Sequence, residues 1–218
     1  MGELVFVRHG QASYGTSDYD RLSPLGHQQA AWLGTHFAEN NLTFDRILCG
    51  TLRRHRETLD NILAQCGAEK TGEDARLNEM SYHQMETAYG AMSGCEAPTE
   101  QGEAMAEHFR RVITAWEDGK IPQVAETYKQ FRSRVLDALF EHARRNERVL
   151  IVSSGGPAGI AVSKVLNLDL HATTDMILHT HNSSYSRFLV AEDRLQLMQF
   201  NAIAHLERAD RQHAHTYL

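Results

Sequence analysis

The sequence predicts an α/β protein: a three-layer α/β/α sandwich whose mixed sheet is mostly parallel, with one antiparallel strand near the C-terminal end. Three observations support this. Short apolar, β-branched runs alternate along the chain with segments of helical periodicity, the pattern of strands joined by helices on both faces of a sheet. Residues 4–7 (Leu-Val-Phe-Val) and 149–152 (Val-Leu-Ile-Val) are apolar throughout, as buried strands are. Residues 184–190 and 195–200, with Glu192 and Asp193 between them, read as a closing hairpin.

The strand at 4–7 stops at Arg8-His9-Gly10. Ser23-Pro24 then supplies an N-cap followed by proline at the first helical position, where a missing N–H costs nothing. Gly26, Ala30, Leu33 and Phe37 follow at helical spacing. Residues 46–49 read as a second strand, after which Leu59, Ile62, Leu63 and Cys66 line a helical face. Residues 67–101 lose that regularity and are punctuated by Gly72, Gly90, Gly94 and Pro98, with Gly102 just beyond. We therefore expect one domain over 1–218, with 67–125 as a cap-like excursion. Met105, Phe109, Val112, Ile113 and Trp116 mark one further helix, and Val124, Tyr128, Phe131, Val135 and Leu139 another. Gly155-Gly156-Pro157 turns the strand at 149–152 into a helix ending near Leu166.

Composition narrows the function classes. With 218 residues the chain is of single-domain size and can bury ~70% of its unfolded surface without disulfides or metals. Hydrophobic residues at 42% and charged residues at 23% exclude collagen, low-complexity disorder and a coiled coil. A net charge of −6 argues against a nucleic-acid partner held by broad positive charge. All but four of the 22 basic residues (Lys70, Lys120, Lys129 and Lys164) are arginine, whose planar fork suits carboxylate and phosphate. Three cysteines (Cys49, Cys66 and Cys95) without a C-x-x-C pair suit a reducing, cytoplasmic compartment. The N-terminus has no basic segment followed by a long apolar one, and no apolar run approaches the ~18 residues of a membrane span, so no membrane is expected as partner.

In open α/β sheets ligands bind at the carboxyl ends of the strands. Two loops lie there: Arg8-His9-Gly10-Gln11 and Ser153-Ser154-Gly155-Gly156. In the first, arginine can grip a pair of phosphoryl oxygens and glycine lets backbone approach a ligand closely. A neutral imidazole is a nucleophile towards phosphorus, and neighbouring positive charge keeps it neutral. The segment Leu52-Arg53-Arg54-His55-Arg56-Glu57-Thr58 starts a helix, and helix N-termini attract anions. Basic residues there oppose the helix dipole, which favours a functional reason for them. In Arg76-Leu77-Asn78-Glu79-Met80, an acid in the excursion could reach over the sheet end and protonate a leaving-group oxygen.

Together, in this order, these segments resemble the histidine phosphatase superfamily, the phosphoglycerate-mutase-like group. Arg8-His9-Gly10 matches its R-H-G signature at the end of the first strand. Residues 23–30 resemble its L-T-x-x-G-x-x-Q-A helix start, and Leu52-x-Arg54-x-x-Glu57-Thr58 its L-x-R-[AT]-x-x-T segment. Leu77-x-Glu79 resembles the segment holding the acid, and residues 149–156 the V-x-V-S-H-G-G segment. The resemblance implies that His9 is a nucleophile that becomes phosphorylated, with Arg8 and Arg54 holding the phosphoryl group. Gln11 and the amides around Gly10 would line the pocket. Glu79 would act as proton donor and then as base for water, in a two-step hydrolysis of small phosphate monoesters without cofactor or metal. The implied partner is a small phosphorylated substrate or inorganic phosphate, and a homodimer is one assembly left open.

Three departures and three alternatives shape the reading. Ser154 stands where the family has a second histidine, bringing one neutral donor and no charge. Three accounts compete: His83, four residues after Glu79, fills the space; Ser154 with the amides of Gly155 and Gly156 suffices for a slower phosphatase; or the pocket binds phosphorylated ligands or a partner with weakened catalysis. Ala12 replaces a usual Ser or Thr, and His55 replaces the small residue usual after Arg54, for which the sequence offers no physical account. A serine hydrolase of Ser154, His179 and Asp175 fails because Val152 stands where the nucleophile elbow needs glycine. His179-x-His181 and His213-x-His215 lack the carboxylates that would complete a metal site. A phosphoglycerate-type mutase is a further alternative, less favoured because the excursion is short.

Overall fold

The computed structural model describes residues 2–13, 20–99, 102–192 and 194–217. Its centre is a six-stranded sheet of order β3-β2-β4-β1-β5-β6. The strands are β1 (Gly2–Arg8), β2 (Arg46–Cys49), β3 (Gly72–Glu73), β4 (Arg148–Ser153), β5 (Tyr185–Val190) and β6 (Leu195–Ala202). β1 pairs in parallel with β4, β4 with β2, and β2 with β3. β5 runs antiparallel to both of its neighbours, so it alone opposes the common direction. That is the mixed sheet expected from the sequence. The expected hairpin forms, although Asp193 lies outside the described residues.

Side chains alternate across the sheet and so fill two cores. On one face Leu4, Phe6, Leu48, Val149, Ile151 and Phe188 pack under α4 (Glu103–Glu117), α5 (Tyr128–His142) and α6 (Gly155–Leu166). On the other, Val5, Val7, Ile47, Cys49, Leu150 and Val152 pack under α1 (Pro24–Glu39) and α2 (Arg53–Cys66). The caps follow local chemistry. Ser23 accepts a hydrogen bond from the Gly26 amide at 3.0 Å. Thr127 and Gln130 form a reciprocal capping box at α5. Gly67, at φ 66°, ends α2 in the left-handed conformation that glycine adopts without a Cβ penalty.

The sequence did not lead us to expect β3, α3 (Tyr82–Ser93) or α7 (Leu170–His179). β3 adds Gly72 and Glu73 to the sheet edge beside β2, so the 67–125 stretch begins inside the sheet. α3 buries only Met85, too narrow a stripe to show as periodicity. α7 is capped by Asp169, which accepts from the Ala172 amide at 2.8 Å. His179 is its last residue.

Candidate active site

The strand registers decide where the site lies. Arg8 is paired with Ser153, and Val152 with Cys49. The next residues, His9, Ser154 and Gly50, therefore leave the sheet side by side at its carboxyl edge. The His9 amide donates to the Ser153 carbonyl at 2.8 Å, and the Gly50 amide to the Val152 carbonyl at 3.0 Å, which extends the ladder into the loops.

His9 is buried and doubly held. Its Nδ1–H donates to the Gly10 carbonyl at 2.7 Å, and its Nε2 accepts from Arg54 Nε at 3.2 Å. This pairing fixes the tautomer with the proton on Nδ1 and the Nε2 lone pair towards Arg54. Burial pushes the His9 imidazole well below its ordinary pKa, and the Arg54 and Arg8 charges push it further down. It is thus neutral at physiological pH, the state a nucleophile needs. Arg8 reaches the Thr180 carbonyl, and Arg54 pairs with Asp20 at 2.7 Å.

The loop after His9 is clamped by the motifs around it. The Gly10 amide donates to Thr58 Oγ1 at 3.0 Å. A Cβ at Gly10 would lie 2.4 Å from the Gly26 carbonyl oxygen, so only glycine lets loop and α1 meet. The Gln11 amide donates to Gln29 at 2.8 Å, while the Gln11 side-chain oxygen accepts from Ser23 Oγ at 2.7 Å. Gln11 therefore braces the α1 start in this structure. Glu57 accepts from the Leu22 amide at 2.8 Å. The segment Leu52–Thr58 in this way supplies one arginine against His9 and two loop-holding side chains.

Glu79 follows a short 3-10 turn (Ala75–Leu77) and lies against the start of α6. Its carboxylate accepts from the Gly156 amide at 3.0 Å and from the Met80 amide at 3.1 Å. Burial raises its pKa, and the Gly156 amide and the Arg54 charge oppose that shift only in part. A carboxyl so placed keeps its proton to higher pH than usual, as a general acid requires. Arg134 on α5 anchors the segment by donating to the Arg76 and Asn78 carbonyls at 2.8 and 2.7 Å.

Of the residues singled out in the sequence, Arg8, His9, Gly10, Arg54, Glu79, Ser154 and Gly155 come together at this edge. Arg8 and Arg54 both act electrostatically on His9 and on Glu79. His83 does not join them. Its side chain is 94% exposed on α3, with Glu86 4.0 Å away. α3 turns the fourth residue after Glu79 outward, and sequence proximity could not show this. The imidazole that stands against Ser154 is His55, with Nε2 2.6 Å from Ser154 Oγ. The one signal for it in the sequence was its departure from the small residue usual after Arg54. Asp175 is held by Arg110 at 2.8 Å, so it completes no triad with Ser154. Among the described residues, no three His, Cys, Asp or Glu side chains gather as a metal site would need. Among them also, no helix is long and apolar enough to cross a membrane.

A buried neutral histidine between two arginines lies at the carboxyl edge of the sheet, with a proton-holding carboxyl nearby. The chain belongs to the histidine phosphatase superfamily (branch 1), whose family model matches residues 4–203. It is 29% identical over 197 residues to a probable phosphoglycerate mutase, GpmB, of Erwinia tasmaniensis, covering 86% of this chain and 84% of that protein. It is 31% identical over 170 residues to a 2,3-bisphosphoglycerate-dependent phosphoglycerate mutase of Rhizobium johnstonii, covering 71% and 74%. Among solved structures, a phosphoserine phosphatase mutant of Entamoeba histolytica bound to phosphoserine superposes with TM-score 0.67 at 18% identity, covering 94% of this chain and 100% of the other. A putative α-ribazole-5′-P phosphatase of Escherichia coli gives TM-score 0.67 at 19% identity, covering 94% and 98%. At these identities the structures are alike in fold alone.

Proposed function

We propose that the protein is a phosphatase that hydrolyses small phosphate monoesters through a phosphohistidine on His9. The observation that carries this is the neutral, buried His9 whose Nε2 lone pair faces Arg54. In the first step Nε2 attacks phosphorus and the bond to the ester oxygen breaks. Glu79 gives its proton to that oxygen, so the alcohol leaves neutral. In the second, water attacks phosphorus while the Glu79 carboxylate takes its proton. The P–N bond breaks, and phosphate and neutral His9 are restored. Arg8 and Arg54 hold the phosphoryl oxygens in both steps, where fixed charges aimed at developing charge supply much of the rate. No step calls on a metal or cofactor. α3 and α4, within 67–125, would roof the pocket and select the leaving group. The free thiols of Cys49, Cys66 and Cys95 suit a reducing, cytoplasmic setting.

His9→Ala should abolish both the release of phosphate from an aryl phosphate and acid-labile phosphate labelling of the protein. Retained turnover would overturn the reading. The curated relatives support a second reading, a phosphoglycerate mutase. It predicts interconversion of 2- and 3-phosphoglycerate, dependent on a bisphosphate primer, in place of net phosphate release. A member with weakened catalysis would bind phosphate at this site without turnover even at high protein concentration.

A further inference from the structure

His55 and Ser154 form a buried pair that the mechanism above does not use. Ser154 is the N-cap residue of α6, yet its hydroxyl makes no bond to the helix it caps. It lies instead 2.6 Å from His55 Nε2. Both residues are fully buried, and the His55 ring centroid is 5.7 Å from that of His9. The ring is fitted to its place. A Cβ on Gly50 would lie 2.3 Å from His55 Nδ1, so only glycine leaves room for it. His55 Nδ1 is itself buried without a hydrogen-bond partner. An apolar ring would fill the same space without that cost, which points to a use for the other nitrogen.

The unpartnered Nδ1 also assigns the tautomer. With the proton on Nδ1, an N–H donor would be orphaned in the interior. With it on Nε2, only a lone pair is left over, and orphaned buried donors are the rarer case. Nε2–H then donates to Ser154 Oγ, and the serine must point its own hydrogen elsewhere. A hydroxyl that accepts one hydrogen bond also becomes a better donor of the next.

We propose that His55 is a positioning residue that turns the Ser154 hydroxyl towards the phosphoryl group on His9, making Ser154 a donor to one of its oxygens. The ligand class rests on the phosphatase reading; the geometry of the pair does not. No proton is transferred within the pair. Burial, with the Arg54 and Arg56 charges, keeps His55 neutral, and its Nε2–H stays in place.

The test is a mutant cycle of H55F, S154A and the double variant, read by calorimetric affinity for orthovanadate and for inorganic phosphate, and by kcat and KM on an aryl phosphate. Losing a donor aimed at developing charge typically costs ~10²–10³ in kcat, so H55F and S154A should each lower kcat on that scale with little change in KM. Each should weaken vanadate more than phosphate, and the double variant should fall no further than the worse single one. H55Q, whose terminal amide can still donate to Ser154, should recover about tenfold or more of what H55F loses. Should H55F not fold, H55N, whose shorter amide cannot reach Ser154, takes its place against H55Q. Vanadate affinity unchanged in H55F or H55N, or losses that multiply in the double variant, would overturn the proposal. If the unaltered protein neither turns over aryl phosphate nor labels on His9, the phosphatase reading fails. The vanadate and phosphate cycle then still decides the role of the pair.

Discussion

Glu79 is costly to the fold at neutral pH, and in the proposed mechanism it is the proton donor. Burial raises its folded pKa, so folding favours the protonated form. The sign follows from linkage. Its contribution is complete below the unfolded carboxyl value of 4.5 and is lost as pH rises through the raised folded value. At neutral pH Glu79→Gln should therefore raise the melting temperature while lowering kcat about 10²–10⁴-fold, the range for loss of a general acid. A pH profile of kcat/KM gives the matching check. The alkaline limb of the parent enzyme should be flattened in Glu79→Gln. A variant that is both less stable and fully active would contradict the role given to the carboxyl. His83 carries the opposite lesson, since a histidine near a key acid in sequence can point wholly to solvent.

Two helices are pinned to their neighbours at glycines, where single methyl groups have large consequences. A Cβ at Gly156 would lie 2.0 Å from Glu79 Oε1 and 2.7 Å from Met80 Sδ. Gly156→Ala should thus displace the carboxyl and lower kcat, even though alanine is the better helix former by about 1 kcal/mol. Steady-state kinetics beside a melting curve separates the two effects: activity should fall far more than stability. Gly34 is the stability counterpart. A Cβ there would lie 2.5 Å from the Ile62 carbonyl oxygen on α2, remote from His9 in the helix-helix seam. Gly34→Ala should destabilise by about 1–3 kcal/mol through overpacking, measured by denaturant midpoint, with KM unchanged. α1 and α2 were readable in advance because each buries a broad periodic face. α3 was not, because it buries one side chain. The helix that carries the apparent substitute histidine is thus the one with the weakest pattern.

Across the whole molecule, stability should fall in acid because of buried histidines. His9 and His55 are held well below the ordinary imidazole value, and His205 is pushed down to about 3, in each case chiefly by burial. Each stays neutral in the folded state while its unfolded counterpart gains a proton near 6.5. Their contributions are therefore present above that value and lost as pH falls below it, at ~1.4 kcal/mol per pH unit for each proton taken up on unfolding. Melting temperatures should drop between pH 7.5 and 5. His205→Phe, which removes a buried imidazole paired with Ser183 Oγ at 2.8 Å, should make that drop shallower. An unchanged slope in that variant would show that other groups set the acid limb. Of the 13 histidines, those buried in the fold are thus the ones that set the acid limit.

What the sequence determined by itself was local or strictly ordered. Alternating apolar runs and helical stripes set the sandwich, the Ser23-Pro24 signal set a helix start, and the order of Arg8-His9-Gly10, Arg54 and Glu79 marked the candidate site. Those features depend on neighbours within a few residues or on chain order, which a sequence records directly. Tertiary structure alone decided which imidazole meets Ser154. His55 and Ser154 lie far apart along the chain, and their contact depends on the register that brings the ends of β2 and β4 level and on the missing side chain at Gly50. Strand register and close packing are properties of the assembled sheet, so the partner of a buried polar group is fixed only when the sheet has formed.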